Sequence, residues 1–155
     1  METILSLQNV THYFGGLRAV NNFSIDLPEG SLWGLIGPNG AGKTTIFNLI
    51  TGVYKPTEGK ILFEGNNITG LKSHTVVDKG IARTFQNLRI FNELTVVDNI
   101  RVAKHFKANY KIIDSILRTK KFYDEERRIK EETYDLLKIF GLQGRMNNLA
   151  KHLPY

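Results

Sequence analysis

The residues of this chain best suited to chemistry are Gly37-Pro38-Asn39-Gly40-Ala41-Gly42-Lys43-Thr44, which fit the spacing G-x-x-x-x-G-K-[ST]. Gly37, Gly40 and Gly42 allow the backbone positive φ and a close approach to a ligand without Cβ clashes. Successive N–H groups in such a loop point inward as an anion nest, and the helix N-terminus behind them favours phosphate. Lys43 supplies a cation for β- and γ-phosphate oxygens. The Thr44 hydroxyl is a natural Mg²⁺ ligand, because that ion takes few protein oxygens and leaves the rest to water and phosphate. By average residue usage, chance produces this pattern in fewer than about one in a hundred chains of this length.

A loop of this kind needs a strand before it and a helix after it. The apolar run Leu32-Trp33-Gly34-Leu35-Ile36 predicts a short strand buried on both faces. A helix is expected from Lys43 to Ile50, with Gly52 as its stop. Earlier, residues 3–10 alternate as a half-buried strand, with Ile4 apart from the Leu5, Leu7 and Asn9 face. Gly15-Gly16 turns the chain into a second strand from about Ala19 to Leu27, which Pro28-Glu29-Gly30 ends. Pro56-Thr57-Glu58-Gly59 predicts a turn, and Lys60-Ile61-Leu62-Phe63 a further strand. From Thr95-Val96-Val97-Asp98, a helix-start signature, the texture becomes helical. The clearest helix is expected over 124–140, with Ile129, Leu136, Leu137 and Phe140 on one face, Glu126 and Lys130 paired at i,i+4, and Gly141 ending it.

Composition narrows the chemistry further. The chain has 155 residues, the length of one domain, with 41% hydrophobic and 23% charged residues, a globular balance. No cysteine is present, which excludes disulfides, thiolate metal sites and a Cys nucleophile. The four histidines show no ligand spacing. No apolar run approaches the roughly 20 residues of a membrane span, and the N-terminus does not read as a signal peptide. The net charge of +6 is confined to residues 101–130, where ten basic side chains face four acidic ones. Such a run reads first as a solvated helical face, then as a segment near anionic lipid. Aromatic residues interleave it, but no nucleic-acid-binding fold is recognisable, so no nucleic-acid partner is expected.

The loop as written, Gly-Pro-Asn-Gly-Ala-Gly-Lys-Thr-Thr over 37–45, closely resembles that of ATP-binding cassette (ABC) ATPases. Tyr13-Phe14-Gly15-Gly16 looks like the family's aromatic loop, with Phe14 at the position that stacks on adenine, and Ala82-Arg83-Thr84-Phe85-Gln86 resembles its Q-loop region. Read from the residues alone, Phe14 is more simply a core aromatic and Gln86 a surface amide. The resemblance places Phe14, Asn39, Gly40, Ala41, Gly42, Lys43, Thr44 and Thr45 on ATP, Thr44 and Gln86 on Mg²⁺, and Lys43 and Gln86 in catalytic roles. Arg89-Ile90-Phe91, Leu94-Thr95-Val96, Asn99 and a long helical stretch from Phe106 to Gly141 are similar to the ATPases of branched-chain amino-acid importers.

The fold implied is α/β, a P-loop NTPase core with an N-terminal antiparallel β subdomain over 1–94 and a helical subdomain over 95–155. The function implied is coupling of ATP binding and hydrolysis to uptake of branched-chain or other hydrophobic amino acids. The partners implied are permease transmembrane subunits, a second ATP-binding subunit and, indirectly, a solute-binding protein, with the subunit lying on the inner, cytoplasmic face of the membrane. An exporter-type cassette and a non-catalytic nucleotide-binding module are the alternatives. In that family Leu153-Pro154-Tyr155 leads into the signature sequence, followed by an apolar run ending in Asp-Glu. Here Asp124-Glu125 follows Lys120-Lys121-Phe122-Tyr123, which is no buried strand. The 155 residues therefore read as the N-terminal portion of a longer subunit, able to bind nucleotide but not to hydrolyse it efficiently, with an unpaired sheet edge beside the loop strand.

Overall fold

The computed structural model describes residues 2–85, 90–106 and 108–153. The chain divides into two compact units, Met1–Phe85 and Gln86–Tyr155.

The first unit is built on a hairpin. Strands β1 (Thr3–Phe14) and β2 (Leu17–Pro28) pair antiparallel through the two-residue turn at Gly15-Gly16. β3 (Glu58–Phe63) lies antiparallel on the other side of β1, and β4 (Asn66–Asn67) returns from it, giving the sheet order β2-β1-β3-β4. This is the expected antiparallel β subdomain. The alternation expected over 3–10 breaks at Asn9, which takes φ 50° where the β1–β2 register shifts between Leu7 and Val10. A bulge displaces the inward face by one residue. Leu7 and Val10 are therefore both buried, whereas Asn9 is exposed and holds Ser24 through its backbone and side chain.

Helix α1 (Lys43–Ile50) packs Ile46 and Leu49 onto Leu7, Val10, Val20, Ile61 and Ile68 to form the unit's core. It stops as expected: Gly52 turns left-handed at φ 69° and a Cβ there would lie 2.4 Å from the Leu71 carbonyl oxygen, so a side chain is sterically barred. Helix α2 (Ser73–Asp78) buries Val76 close by.

The predicted buried strand over 32–36 is absent. Residues 31–38 carry no strand pairing, and Leu32, Trp33 and Ile36 are 101%, 56% and 92% exposed. A strand buried on both faces exists only between hydrogen-bonded neighbours, and this segment has none among the described residues. The expected sheet edge beside the loop is thus an unpaired segment.

The second unit is helical. Thr95 caps α3 (Val96–His105) as expected, accepting from the Asp98 N–H at 3.2 Å while its hydroxyl donates to the Asp98 carboxylate at 2.6 Å. The long helical stretch expected from Phe106 to Gly141 is broken into α4 (Ile112–Ile116) and α5 (Lys120–Ile139). Arg118 at φ 48° and the Thr119 cap, which accepts from the Phe122 N–H, separate the two. Ile129, Thr133 and Leu137 form the buried stripe of α5, and Gly141 ends it at φ 64°. Phe140, expected on that stripe, is 70% exposed because it is the C-cap, where the chain leaves the helical phase.

Glu126 does not pair with Lys130. It binds Arg101 of α3 at 3.1 Å, and Lys104 meets Glu132 at 2.7 Å, so the two helices are clasped by opposite charges. Arg128 closes the cluster by binding Glu125 and Glu132. Part of the basic run is therefore internal ion pairing. The Lys104 ammonium holds the Glu132 carboxyl below its ordinary value, as the Arg128 guanidinium does for Glu125.

Two outcomes follow for stability. Leu137→Ala, removing a fully buried side chain, is expected to cost about 2–5 kcal/mol, whereas Phe140→Ala stays within about 0.5 kcal/mol, measured by denaturant unfolding. Depressed carboxylates stabilise the fold above their unfolded value and lose that contribution as pH falls through the folded one. The unfolding midpoint should thus drop once pH passes below the ordinary Glu value of 4.5, and less steeply in Glu132→Gln.

Candidate functional site

The loop over 37–44 closes on the N-terminus of α1, and its shape is set by Gly42. This residue is the N-cap at φ 80°, a left-handed conformation that costs a side-chain-bearing residue energy. A Cβ on Gly42 would also lie 2.5 Å from the backbone oxygen of Ala19 in β2. The start of the helix therefore rests directly against the β1–β2 hairpin, and only glycine fits between them. No side chain caps α1, and its first turn carries no acid. Its leading N–H groups and the positive end of its dipole are left for an anion.

Lys43 is partly buried, and its ammonium donates to the Gly37 and Pro38 carbonyls, both at 2.7 Å. The lysine thus lies across the loop and ties its entrance to the helix that follows. Thr44 is exposed and Thr45 half-buried, both in the first turn of α1. Asn39, Gly40 and Ala41 are exposed on the loop. A left-handed glycine pressed against β2, a helix N-terminus without acids and a lysine across the loop fit a phosphate chain. The Thr44 hydroxyl fits one Mg²⁺ ligand, but Gln86 lies outside the described residues. Among the described residues no cluster of His, Asp or Glu could hold a metal by itself. A phosphate-linked metal, which needs few protein oxygens, is the kind this site suits.

Phe14 ends β1, and its partner across the hairpin turn is Leu17, two residues before the Ala19 that meets Gly42. One hairpin therefore carries the aromatic ring and buttresses the phosphate loop. Phe14 is 43% exposed, which leaves it free to stack on a base. The segment leading to Gln86 is fixed by Arg83. Its guanidinium donates to the Asn48 side-chain oxygen on α1 at 2.7 Å and lies 5.9 and 5.0 Å from the Phe47 and Phe85 ring centres.

Arg83 and Asn48 were not legible as site-building residues. Arg83 lies in the segment that resembles the Q-loop, but its contact with Asn48 spans 35 positions and nothing local announces it. The same holds for His12 and Tyr54, whose rings pack against Phe14. No described helix is long and apolar enough to cross a membrane.

Residues 20–153 match the family described as ABC transporter. The chain is 41% identical over 152 residues to the high-affinity branched-chain amino acid transport ATP-binding protein BraF of Pseudomonas aeruginosa, covering 98% of this chain and 60% of that protein. It is 38% identical over 154 residues to LivG of Escherichia coli K12, which bears the same description, with 99% and 60% covered. A solved structure of the ADP conformation of MJ1267, an ATP-binding cassette of an ABC transporter, superposes with a TM-score of 0.78 at 31% identity, covering 99% of this chain and 60% of that one. A nucleotide-free cassette superposes with a TM-score of 0.76, also at 31% identity and with 99% and 60% covered. The chain spans about three-fifths of the length of these relatives.

Gly42→Ala is expected to displace α1 from the hairpin and to lower both the unfolding midpoint and nucleotide affinity. In folding stability Gly40→Ala, which meets no protein atom within 4 Å, carries only the left-handed backbone cost of about 1–2 kcal/mol. Thermal unfolding and calorimetric titration with ATP compare the two.

Proposed function

Because the chain belongs to the ABC transporter family, we propose that it forms the ATP-gripping part of an importer's ATP-binding subunit, for branched-chain or other hydrophobic amino acids. The observation that carries this reading is the loop closing on α1, with Gly42 against Ala19 and the Lys43 ammonium over two loop carbonyls. In the bound state the Lys43 donors turn from those carbonyls to β- and γ-phosphate oxygens. The N–H groups of 39–45 receive the phosphate chain in the positive field of the helix end. Phe14 stacks on the adenine, because its exposed ring ends the hairpin that buttresses the loop.

Thr44 and Gln86 are the residues that would hold Mg²⁺, which supplies neutralisation of phosphate charge when bound. Gln86 in this reading orients the attacking water and senses nucleotide state, and Arg83 anchors its own segment to α1 through Asn48. Residues 1–94 thus serve the nucleotide and residues 95–155 form the helical subdomain. The working assembly is a pair of such subunits beneath permease transmembrane subunits, served by a solute-binding protein, at the cytoplasmic face of the membrane. The amino-acid substrate is supported by the names of BraF and LivG.

Hydrolysis needs more than grip. The 155 residues contain no apolar run ending in Asp-Glu, so this reading assigns them no general base for water. Loss of a positioned general base costs about 10²–10⁴ in rate.

The chain is expected to bind MgATP in calorimetric titration, and Lys43→Ala to weaken it about tenfold or more, as fits loss of a charge-assisted hydrogen bond. Steady-state phosphate release from the same chain should fall at least about a hundredfold below that of an intact cassette. Unchanged ATP affinity in Lys43→Ala would remove the proposal.

A further inference from the structure

Behind Phe14 lies a feature that base stacking alone does not require. The rings of His12, Phe14 and Tyr54 close a triangle. His12 meets Phe14 edge-on, with centroids 4.7 Å apart at 88°. Tyr54 meets it edge-on at 5.2 Å and 81°. His12 and Tyr54 are themselves nearly parallel, 5.5 Å apart at 9°. Edge-to-face contacts use the ring quadrupole and favour a definite angle. Two of them, from neighbours that lie parallel, hold the plane of Phe14 rather than merely filling space beside it.

His12 is 9% exposed, and neither of its ring nitrogens has a hydrogen-bond partner among the described residues. A buried polar ring without partners loses its hydration and gains no bond in return. Its part here is that of a flat plate. Tyr54 is placed by hydrogen bonds at both ends of its segment. The Val53 and Tyr54 N–H groups both donate to the Asn48 carbonyl in α1, at 2.9 and 3.1 Å. The Thr57 N–H donates to the Thr11 carbonyl at 2.8 Å, and the Tyr13 N–H to the Thr57 hydroxyl at 3.3 Å. The chain that brings Tyr54 under Phe14 is thus fastened to the phosphate-loop helix at one end and to β1 at the other.

We propose that His12 and Tyr54 are positioning residues that fix the plane of Phe14 for purine stacking and lock that ring to the helix carrying the phosphate loop. This inference rests on the reading of Phe14 as the base-stacking residue. It makes affinity for the base, and not for the phosphates, depend on two residues that touch neither.

The test compares ATP with inorganic tripolyphosphate, which lacks the base, by calorimetric titration of the full 155-residue chain. Tyr54→Ala and His12→Ala are expected to weaken ATP about three- to tenfold, as Phe14→Ala does, and to leave tripolyphosphate within about twofold. Tyr54→Phe and His12→Phe keep the ring and should keep ATP affinity. Tyr54→Leu retains apolar bulk without a ring and replaces the alanine variant if that one does not fold. The proposal is overturned if Phe14→Ala loses ATP affinity while the Tyr54 and His12 variants do not. Parallel loss of ATP and tripolyphosphate overturns it too, because that marks a general structural role. If Phe14→Ala itself leaves ATP affinity unchanged, the base-stacking reading fails, and the inference with it.

Discussion

The close approach of Gly42 to the Ala19 carbonyl is the contact on which the rest of the site depends. It sets the start of α1 against the β1–β2 hairpin at a distance that no Cβ permits. Gly52 does the same at the far end of that helix, against the Leu71 carbonyl. Between them Ile46 and Leu49 are buried in the sheet's core. An eight-residue helix is marginal by itself, and tertiary packing is what holds it. Here it is fixed at both ends by backbone and in the middle by apolar side chains. A phosphate site made of N–H groups needs that rigidity, because its donors have no side-chain freedom with which to correct a misplaced helix.

Local patterns were legible in the sequence and non-local ones were not. The loop, the Gly15-Gly16 turn, the Gly52 stop and the Thr95 cap are each decided within about five residues, and the structure shows all four elements where they were expected. The Asn9 bulge has no local signal, because it depends on a register shift against β2. The contact of Arg83 with Asn48, and that of Tyr54 with the His12 and Phe14 rings, join residues that only the folded chain brings together. Phe140 satisfied the helical period but fell on the cap, where periodicity no longer reports on burial.

The charge asymmetry has a similar history. Ten basic residues crowd positions 101–130, and a count alone suggests a surface awaiting an anionic partner. Arg101, Lys104 and Arg128 are instead engaged with Glu126, Glu132 and Glu125, so three of the ten hold α3 to α5 or brace α5 itself. Exposed pairs of this sort are individually weak, and a network around a buried stripe is where they contribute most. The glutamates that answer them sit on α5, inside or just beyond the same run. Part of the basic run is thus a device that clasps α3 to α5.

The segment 31–38 shows where rigidity enters the phosphate loop and where it does not. Leu32, Trp33 and Ile36 are exposed and the segment makes no strand pairing among the described residues, although Leu35 packs against the core and the segment runs into the loop itself. The loop is therefore fixed from its exit, through Gly42 and α1, and its entrance is held by the Lys43 ammonium on the Gly37 and Pro38 carbonyls. That same ammonium is the group the phosphates would claim. Binding a nucleotide would thus release the tie on the entrance at the moment the phosphates replace it, and the net gain is smaller than the new hydrogen bonds alone suggest. A strand partner for 31–38 would remove that competition by fixing the entrance independently, because ladder hydrogen bonds would then do the work now left to the lysine.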